Sequence, residues 1–166
     1  MRTTITKPAV IALGSNLGDR EATMLSAIRA LAEADGVELR AVSPLHDTVA
    51  LRPEGEDPDA PRYLNAVALV DTTLAPLQLL ELCLAIEQEH GRVRAGRWGD
   101  RTLDLDLVDF AGLELRLDRL TLPHPRAHER GFVLRPWLEA DPDAVLPGHG
   151  RVDALLAALD RAEEAP

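Results

Sequence analysis

Tyr63-Leu-Asn-Ala-Val-Ala-Leu-Val-Asp-Thr72 is the stretch on which the fold turns. Its apolar and β-branched run reads as a strand, and Pro76 then opens a helix that carries Leu80, Cys83, Ile86 and Glu87 along one side as far as His90, where Gly91 stops it. Downstream, Leu103-Asp-Leu-Asp-Leu-Val-Asp-Phe110 alternates as a strand does, with Gly112 as a turn and Glu114 to Leu117 as its hairpin partner. Upstream, Ala9-Val-Ile-Ala-Leu13 reads as a short buried strand ended by Gly14-Ser-Asn-Leu-Gly18. Asp19 then caps a helix to about Ala34 in which Leu25, Ile28, Leu31 and Ala32 recur at helical spacing, and Gly36 ends it. Residues 37–43 alternate as a strand that resumes after Pro44 toward Leu51. Three prolines, a glycine and four acids make 52–62 a solvent-facing loop, and 131–140 and 152–162 read as two further helices.

Through residue 110 the order is strand, helix, strand, strand, helix, strand. That order predicts an α+β fold with a ferredoxin-like βαββαβ core, an antiparallel sheet with helices packed on it and extra C-terminal helices. The length suits one domain, residues 1–166.

Charge narrows the chemistry. The chain has 18 basic residues against 28 acids, a net charge of −10, which disfavours a sequence-independent nucleic-acid binder. Seventeen of the basic residues are Arg and the only Lys is Lys7, so a Walker-type phosphate loop and a Schiff-base site are excluded unless Lys7 itself serves. Residues 90–135 hold nine Arg against seven acids, a local charge of +2, and the remainder is −12. An arginine-rich segment in an acidic chain points to a local anion site. The single cysteine, Cys83, falls among Leu79, Leu80, Leu82, Leu84 and Ile86 as a small core residue and builds neither a disulfide nor a cysteine zinc site by itself. No apolar run approaches the ~18 residues of a membrane helix, and with no signal segment a cytoplasmic protein is expected.

Asp104 and Asp106 are the sharpest feature. Two residues apart on a strand, they share one face at roughly 6.5–7 Å, where a hard cation such as Mg²⁺ relieves their repulsion. The plainer alternative is an amphipathic strand with a wet face. Asp109 has the opposite parity and reads as a solvated neighbour. Just upstream, Arg92-Val-Arg94-Ala-Gly-Arg97-Trp98-Gly-Asp-Arg101 offers guanidinium forks for phosphate oxygens on a glycine-bearing loop; a solvated, salt-bridged loop is its alternative and leaves Trp98 unexplained. Carboxylates beside arginines are what a nucleoside triphosphate with its metal requires. In Pro123-His124-Pro125-Arg126-Ala-His128-Glu-Arg130-Gly-Phe132, a His and two Arg near a phosphate are favoured over zinc on His124 and His128, and a plain surface is the remaining option. His46, His90 and His149 read as surface residues. A regulatory small-molecule-binding domain, a γ-phosphoryl kinase and a nucleotidyltransferase stay open as competing classes.

Five blocks in register then carry a resemblance: Ala12-Leu-Gly-Ser-Asn-Leu-Gly18; Tyr63-Leu-Asn-Ala66; Glu87 with Gly91-Arg-Val-Arg94; Arg97-Trp-Gly-Asp-Arg-Thr-Leu-Asp-Leu-Asp106; and Leu122-Pro-His-Pro-Arg126 with Arg130-Gly-Phe132. Together they resemble the 6-hydroxymethyl-7,8-dihydropterin pyrophosphokinases of folate biosynthesis, from about residue 9 to 160. The resemblance implies transfer of the β,γ-diphosphate of ATP to the hydroxymethyl oxygen of the pterin, with release of AMP. It implies two Mg²⁺ ions on Asp104 and Asp106, and Arg92, Arg94 and Arg101 on the phosphates with Trp98 in the same loop. Glu87, Arg119, Thr121, His124 and Arg130 match positions lining the ATP site. Tyr63 and Phe132 would sandwich the pterin, Asn65 would hydrogen-bond its amide edge, and Thr48 to Leu51 would add backbone contacts. The ferredoxin-like fold is implied as well, and a monomer is expected. The chain departs from the pattern at Val49, where proline is common, at Asp100, and at Ala95-Gly96, where some members carry lysine.

Overall fold

In this computed structural model, described over residues 4–16, 19–48, 51–52, 55–56, 63–90 and 103–164, the chain runs β1 (Lys7–Ser15), α1 (Arg20–Glu33), β2 (Val37–Val42), β3 (His46–Thr48), β4 (Leu51–Arg52), β5 (Gly55–Glu56), β6 (Tyr63–Thr72), α2 (Pro76–Glu89) and β7 (Asp104–Phe110). After these come β8 (Leu115–Arg116), β9 (Thr121–Leu122), a 3₁₀ turn (Ala127–Glu129), α3 (Gly131–Ala140), β10 (Val145–Leu146), β11 (Gly150–Arg151) and α4 (Val152–Glu164). The main sheet is antiparallel with order β2-β6-β1-β7, and β3 also pairs with β6. This is the split βαβ arrangement expected from the order of elements.

The ends of the helices follow from local chemistry. Asp19 Oδ1 accepts the N–H of Ala22 at 3.1 Å and caps α1. Pro76 occupies the first turn of α2, where its missing N–H costs nothing. Gly36 turns the chain from α1 into β2 at φ 81°, a conformation that favours glycine, and its carbonyl accepts the Thr72 hydroxyl at 2.6 Å.

Each face of the sheet is covered. On one, Ile11, Leu13, Ala68, Val70, Leu105 and Leu107 pack against Met24, Ala27 and Leu31 of α1 and Leu79, Cys83 and Ile86 of α2. On the other, Val10, Val67 and Val108 pack against Val133, Leu134 and Trp137 of α3 and Val152 and Leu156 of α4. The buried stripe of α1 is thus Met24, Ala27 and Leu31. Leu25, expected on that stripe, is 52% exposed, because one residue is 100° of helix rotation away from Met24.

Three other expectations change. The segment at 114–117 does not return along the 104–110 strand; Leu115 and Arg116 pair with Leu122 and Thr121 in a separate two-stranded sheet. Within the expected loop 52–62, Leu51–Arg52 and Gly55–Glu56 pair with each other, and the rest of that loop lies outside the described residues. The parity argument for Asp109 also fails. A bulge leaves Val108 as an extra residue, so Leu107 pairs with Ile11 and Asp109 with Val10. In-register residues share a face, which puts Asp109 on the same side as Asp104 and Asp106. Asp109 is half-buried and its carboxylate accepts the N–H of Gly112 at 3.2 Å; burial raises its pKa and that hydrogen bond opposes the rise.

Candidate active site

A single row of residues crosses the sheet. Gly14 on β1 is in register with Asn65 on β6 and with Asp104 on β7, and His46 on β3 is in register with Asn65. Residues so paired point to the same side, here the side covered by α3 and α4. Asn65 and Asp104 therefore flank Gly14 two strands apart, about 10 Å at the usual strand spacing. Gly14 leaves the middle of the row without a side chain. A Cβ there would stand 3.0 Å from Asn65 Oδ1 and 3.9 Å from Tyr63 Cδ1.

At the β6 end, Asn65, Thr48 and Tyr63, three of the residues read as pterin contacts, come together. Asn65 is buried and its Nδ2 donates to Thr48 Oγ1 at 2.6 Å, and Tyr63 is in register with Thr48. Phe132 lies in the first turn of α3, with the Arg130 guanidinium 5.6 Å from its ring centroid. Leu51 is placed by its backbone alone, in β4.

At the β7 end, Asp104 and Asp106 project on the same face. Asp106 is about half exposed, with Arg130 Nη1 3.9 Å from its Oδ2. An open cleft of about 270 Å³ brings together Asp106, Arg119, Thr121 and His124, four sequence-predicted residues, with Asp118 as a fifth that sequence reasoning did not single out. Its adjacency to Arg119 was the available signal. The Arg119 guanidinium also lies 3.4 Å from Glu81 of α2.

His124 is oriented by its neighbours. Its N–H donates to Val108 O at 2.9 Å, and its Nδ1 accepts the N–H of Arg126 at 3.1 Å. Burial lowers the imidazole pKa; Asp106 opposes this, while Arg130 and Arg126 add to it. A neutral ring with Nδ1 as acceptor carries its proton on Nε2. The zinc alternative finds no support in the arrangement of the histidines. The His128 ring stacks on His149, centroids 4.2 Å apart, and among the described residues no group of three or more His, Cys, Asp and Glu converges on a metal position.

Glu87 sits behind β7. It is buried on α2, and its Oε2 accepts the N–H of Leu105, the residue between the two aspartates, at 2.7 Å. Its negative charge, after burial and ahead of that of Asp106, pushes the Cys83 thiol up to about 12. Arg92, Arg94, Trp98 and Arg101 lie outside the described residues. Two histidines read as surface residues are otherwise engaged. His90 Nδ1 meets Ile86 O at 2.7 Å and its Nε2 meets Ser26 Oγ at 2.8 Å, joining α2 to α1. His46 is largely covered and faces Glu139 of α3. His149 is exposed.

Residues 10–142 match the family model of 7,8-dihydro-6-hydroxymethylpterin-pyrophosphokinase. The chain belongs to this family. It is 42% identical over 152 residues to the 2-amino-4-hydroxy-6-hydroxymethyldihydropteridine pyrophosphokinase of Methylorubrum extorquens, covering 92% of this chain and 93% of that one. To the Pseudomonas aeruginosa protein of the same name it is 45% identical over 148 residues, 89% of each chain. The fold is shared with a Plasmodium falciparum HPPK-DHPS crystal structure with pteroate, at a TM-score of 0.71 and 13% identity, over 99% of this chain and 45% of that longer one. The pyrophosphokinase transfers diphosphate from ATP to the dihydropterin in folate biosynthesis, and its family uses Mg²⁺ with ATP. The regulatory-domain, γ-kinase and nucleotidyltransferase readings are set aside by that membership.

Proposed function

We propose that the row from Asn65 to Asp104 is the axis of diphosphate transfer, with the dihydropterin at the β6 end and the triphosphate at the β7 end. The observation that carries this is the register through Gly14. It puts a buried amide and a carboxylate pair on one face with an unfilled position between them. The distance suits two substrates whose reacting atoms must meet.

Asp104 and Asp106 suit two Mg²⁺ ions. They supply hard carboxylate oxygens on one face, and Asp106 is half exposed beside a cleft lined by Arg119 and His124. Bound there with ATP, Mg²⁺ would neutralise phosphate charge as the β-phosphorus is attacked. The chain's own groups then position the reactants. Asn65, braced by Thr48, presents its amide oxygen to the ring edge of the pterin, and Tyr63 and Phe132 bound its faces. Arg130, within reach of both Phe132 and Asp106, bridges the two halves as a phosphate contact. His124 donates from Nε2, Arg119 and Thr121 line the nucleotide cleft, and Glu87 fixes the strand behind the aspartates. Arg92, Arg94, Arg101 and Trp98, outside the described residues, would contact the phosphates, as the family resemblance implies. The hydroxymethyl oxygen bonds to the β-phosphorus as its proton passes to water or to one of the paired aspartates, the bond from the β-phosphorus to the bridging oxygen breaks, and AMP leaves with that oxygen.

Among the described residues no helix is long and apolar enough to cross a membrane. Product analysis with ATP, Mg²⁺ and hydroxymethyldihydropterin tests the assignment. AMP is expected from the wild type and none from Asp106→Ala with unchanged circular dichroism. Near-normal AMP release by that folded variant overturns the metal assignment, and ADP or free pyrophosphate as product overturns the transfer itself.

A further inference from the structure

We infer that His46 is a positioning residue for the acceptor substrate, acting through Glu139. The strand β3 is only three residues long, yet it carries Thr48, which braces Asn65. Short strands at a sheet edge have few backbone bonds to hold them, so side chains must supply the rest. Two contacts do so from opposite sides. Arg20 Nη1, at the start of α1, lies 3.6 Å from Asp47 Oδ1. His46 Nε2 lies 3.2 Å from Oε1 of Glu139 near the end of α3, out of hydrogen-bond alignment but in close contact, with the imidazole 19% exposed.

The second contact couples the two walls of the acceptor pocket. Phe132 and Glu139 stand on one continuous helix, seven residues or about 10 Å apart. His46 and Thr48 stand on the same face of one strand, two residues apart. The contact between Glu139 and His46 therefore ties the helix that carries Phe132 to the strand that carries Thr48. This role rests on the reading of Thr48, Asn65 and Phe132 as pterin contacts. Asp104 and Asp106 are on the far side of β1 and do not depend on it.

Steady-state kinetics on His46→Leu and Glu139→Ala, each varied in both substrates, test the inference. The pterin KM is expected to rise about tenfold, or about 1.4 kcal/mol, in each, with the ATP KM unchanged. The double variant is expected to be no worse than either single one, as for residues acting as a pair. His46→Gln, which keeps a donor for Glu139, is expected to recover most of the loss. Glu139 is 43% exposed, so its variant keeps the test open should His46→Leu not fold. Asn65→Ala separates the two ideas. A raised pterin KM in Asn65→Ala but not in the His46 and Glu139 variants overturns the positioning role, as does an equal rise in both KM values. An unchanged pterin KM in Asn65→Ala overturns the pocket assignment and the inference with it.

Discussion

Glu87 Oε2 accepts the backbone N–H of Leu105 at 2.7 Å, and through that one bond a buried carboxylate on α2 holds the midpoint of the Asp104-Leu-Asp106 segment. The strand β7 ends the sheet, so an outward N–H there has no strand partner. Glu87→Ala leaves that amide without its acceptor and is expected to cost about 1–3 kcal/mol in denaturant unfolding. Turnover should fall further than stability alone explains, because the aspartates lose their fixed spacing. Glu87→Gln retains an acceptor oxygen and should lose less of both. Equal turnover in the Ala and wild-type proteins would show that the spacing is set elsewhere.

The empty centre of the row makes Gly14 the position where the smallest side chain matters. Gly14→Ala puts a Cβ 3.0 Å from Asn65 Oδ1, tight enough to displace the amide by a few tenths of an ångström. The expected result is a pterin KM raised roughly fivefold, on the order of 1 kcal/mol. The ATP KM should stay near its wild-type value, which initial-rate measurements with each substrate varied in turn will check.

Cys83 should be chemically silent in the folded protein. Burial, then Glu87 and Asp106, raises its pKa from 9.0 to about 12, and the thiolate is the reactive form. Iodoacetamide at pH 8 is expected to leave the native chain unmodified by mass spectrometry and to label it fully in denaturant. The sign of the linkage follows. The contribution of the neutral thiol to stability is complete below the unfolded value near 9 and is lost as pH rises toward about 12. Unfolding of wild type and Cys83→Ala across that window should show the wild type losing stability faster.

Much of this was legible in the chain. The apolar run at 63–72, the capped helices at 19–34 and 76–90 and the alternation at 104–110 specified the core order, because strand and helix periods are local properties of sequence. The Asp-x-Asp pair and the arginine-rich segment pointed to a candidate anion and metal site for the same reason: their chemistry lies within a few residues. The five blocks in register pointed to the family. Other features escaped that reading. Asp109 was put on the wrong face because a bulge at Val108 is a relation between two strands and leaves no mark on either alone. Leu115 and Arg116 found Thr121 and Leu122 as partners instead of the preceding strand. His46 and His90 read as surface residues because their partners, Glu139 and Ser26, lie far away in sequence.

Sequence alone determined the candidate groups for this protein's chemistry: two aspartates, a set of arginines, an asparagine and two aromatic side chains. Tertiary structure decided how they are arranged. Gly14 became the gap between Asn65 and Asp104 only when β6 and β7 paired on either side of β1, and Glu87 became the brace of the strand carrying Asp104 and Asp106 only when α2 packed beneath it. The physical reason is that side-chain identity and period are written residue by residue, whereas register and distance between strands arise from pairing that no single segment contains.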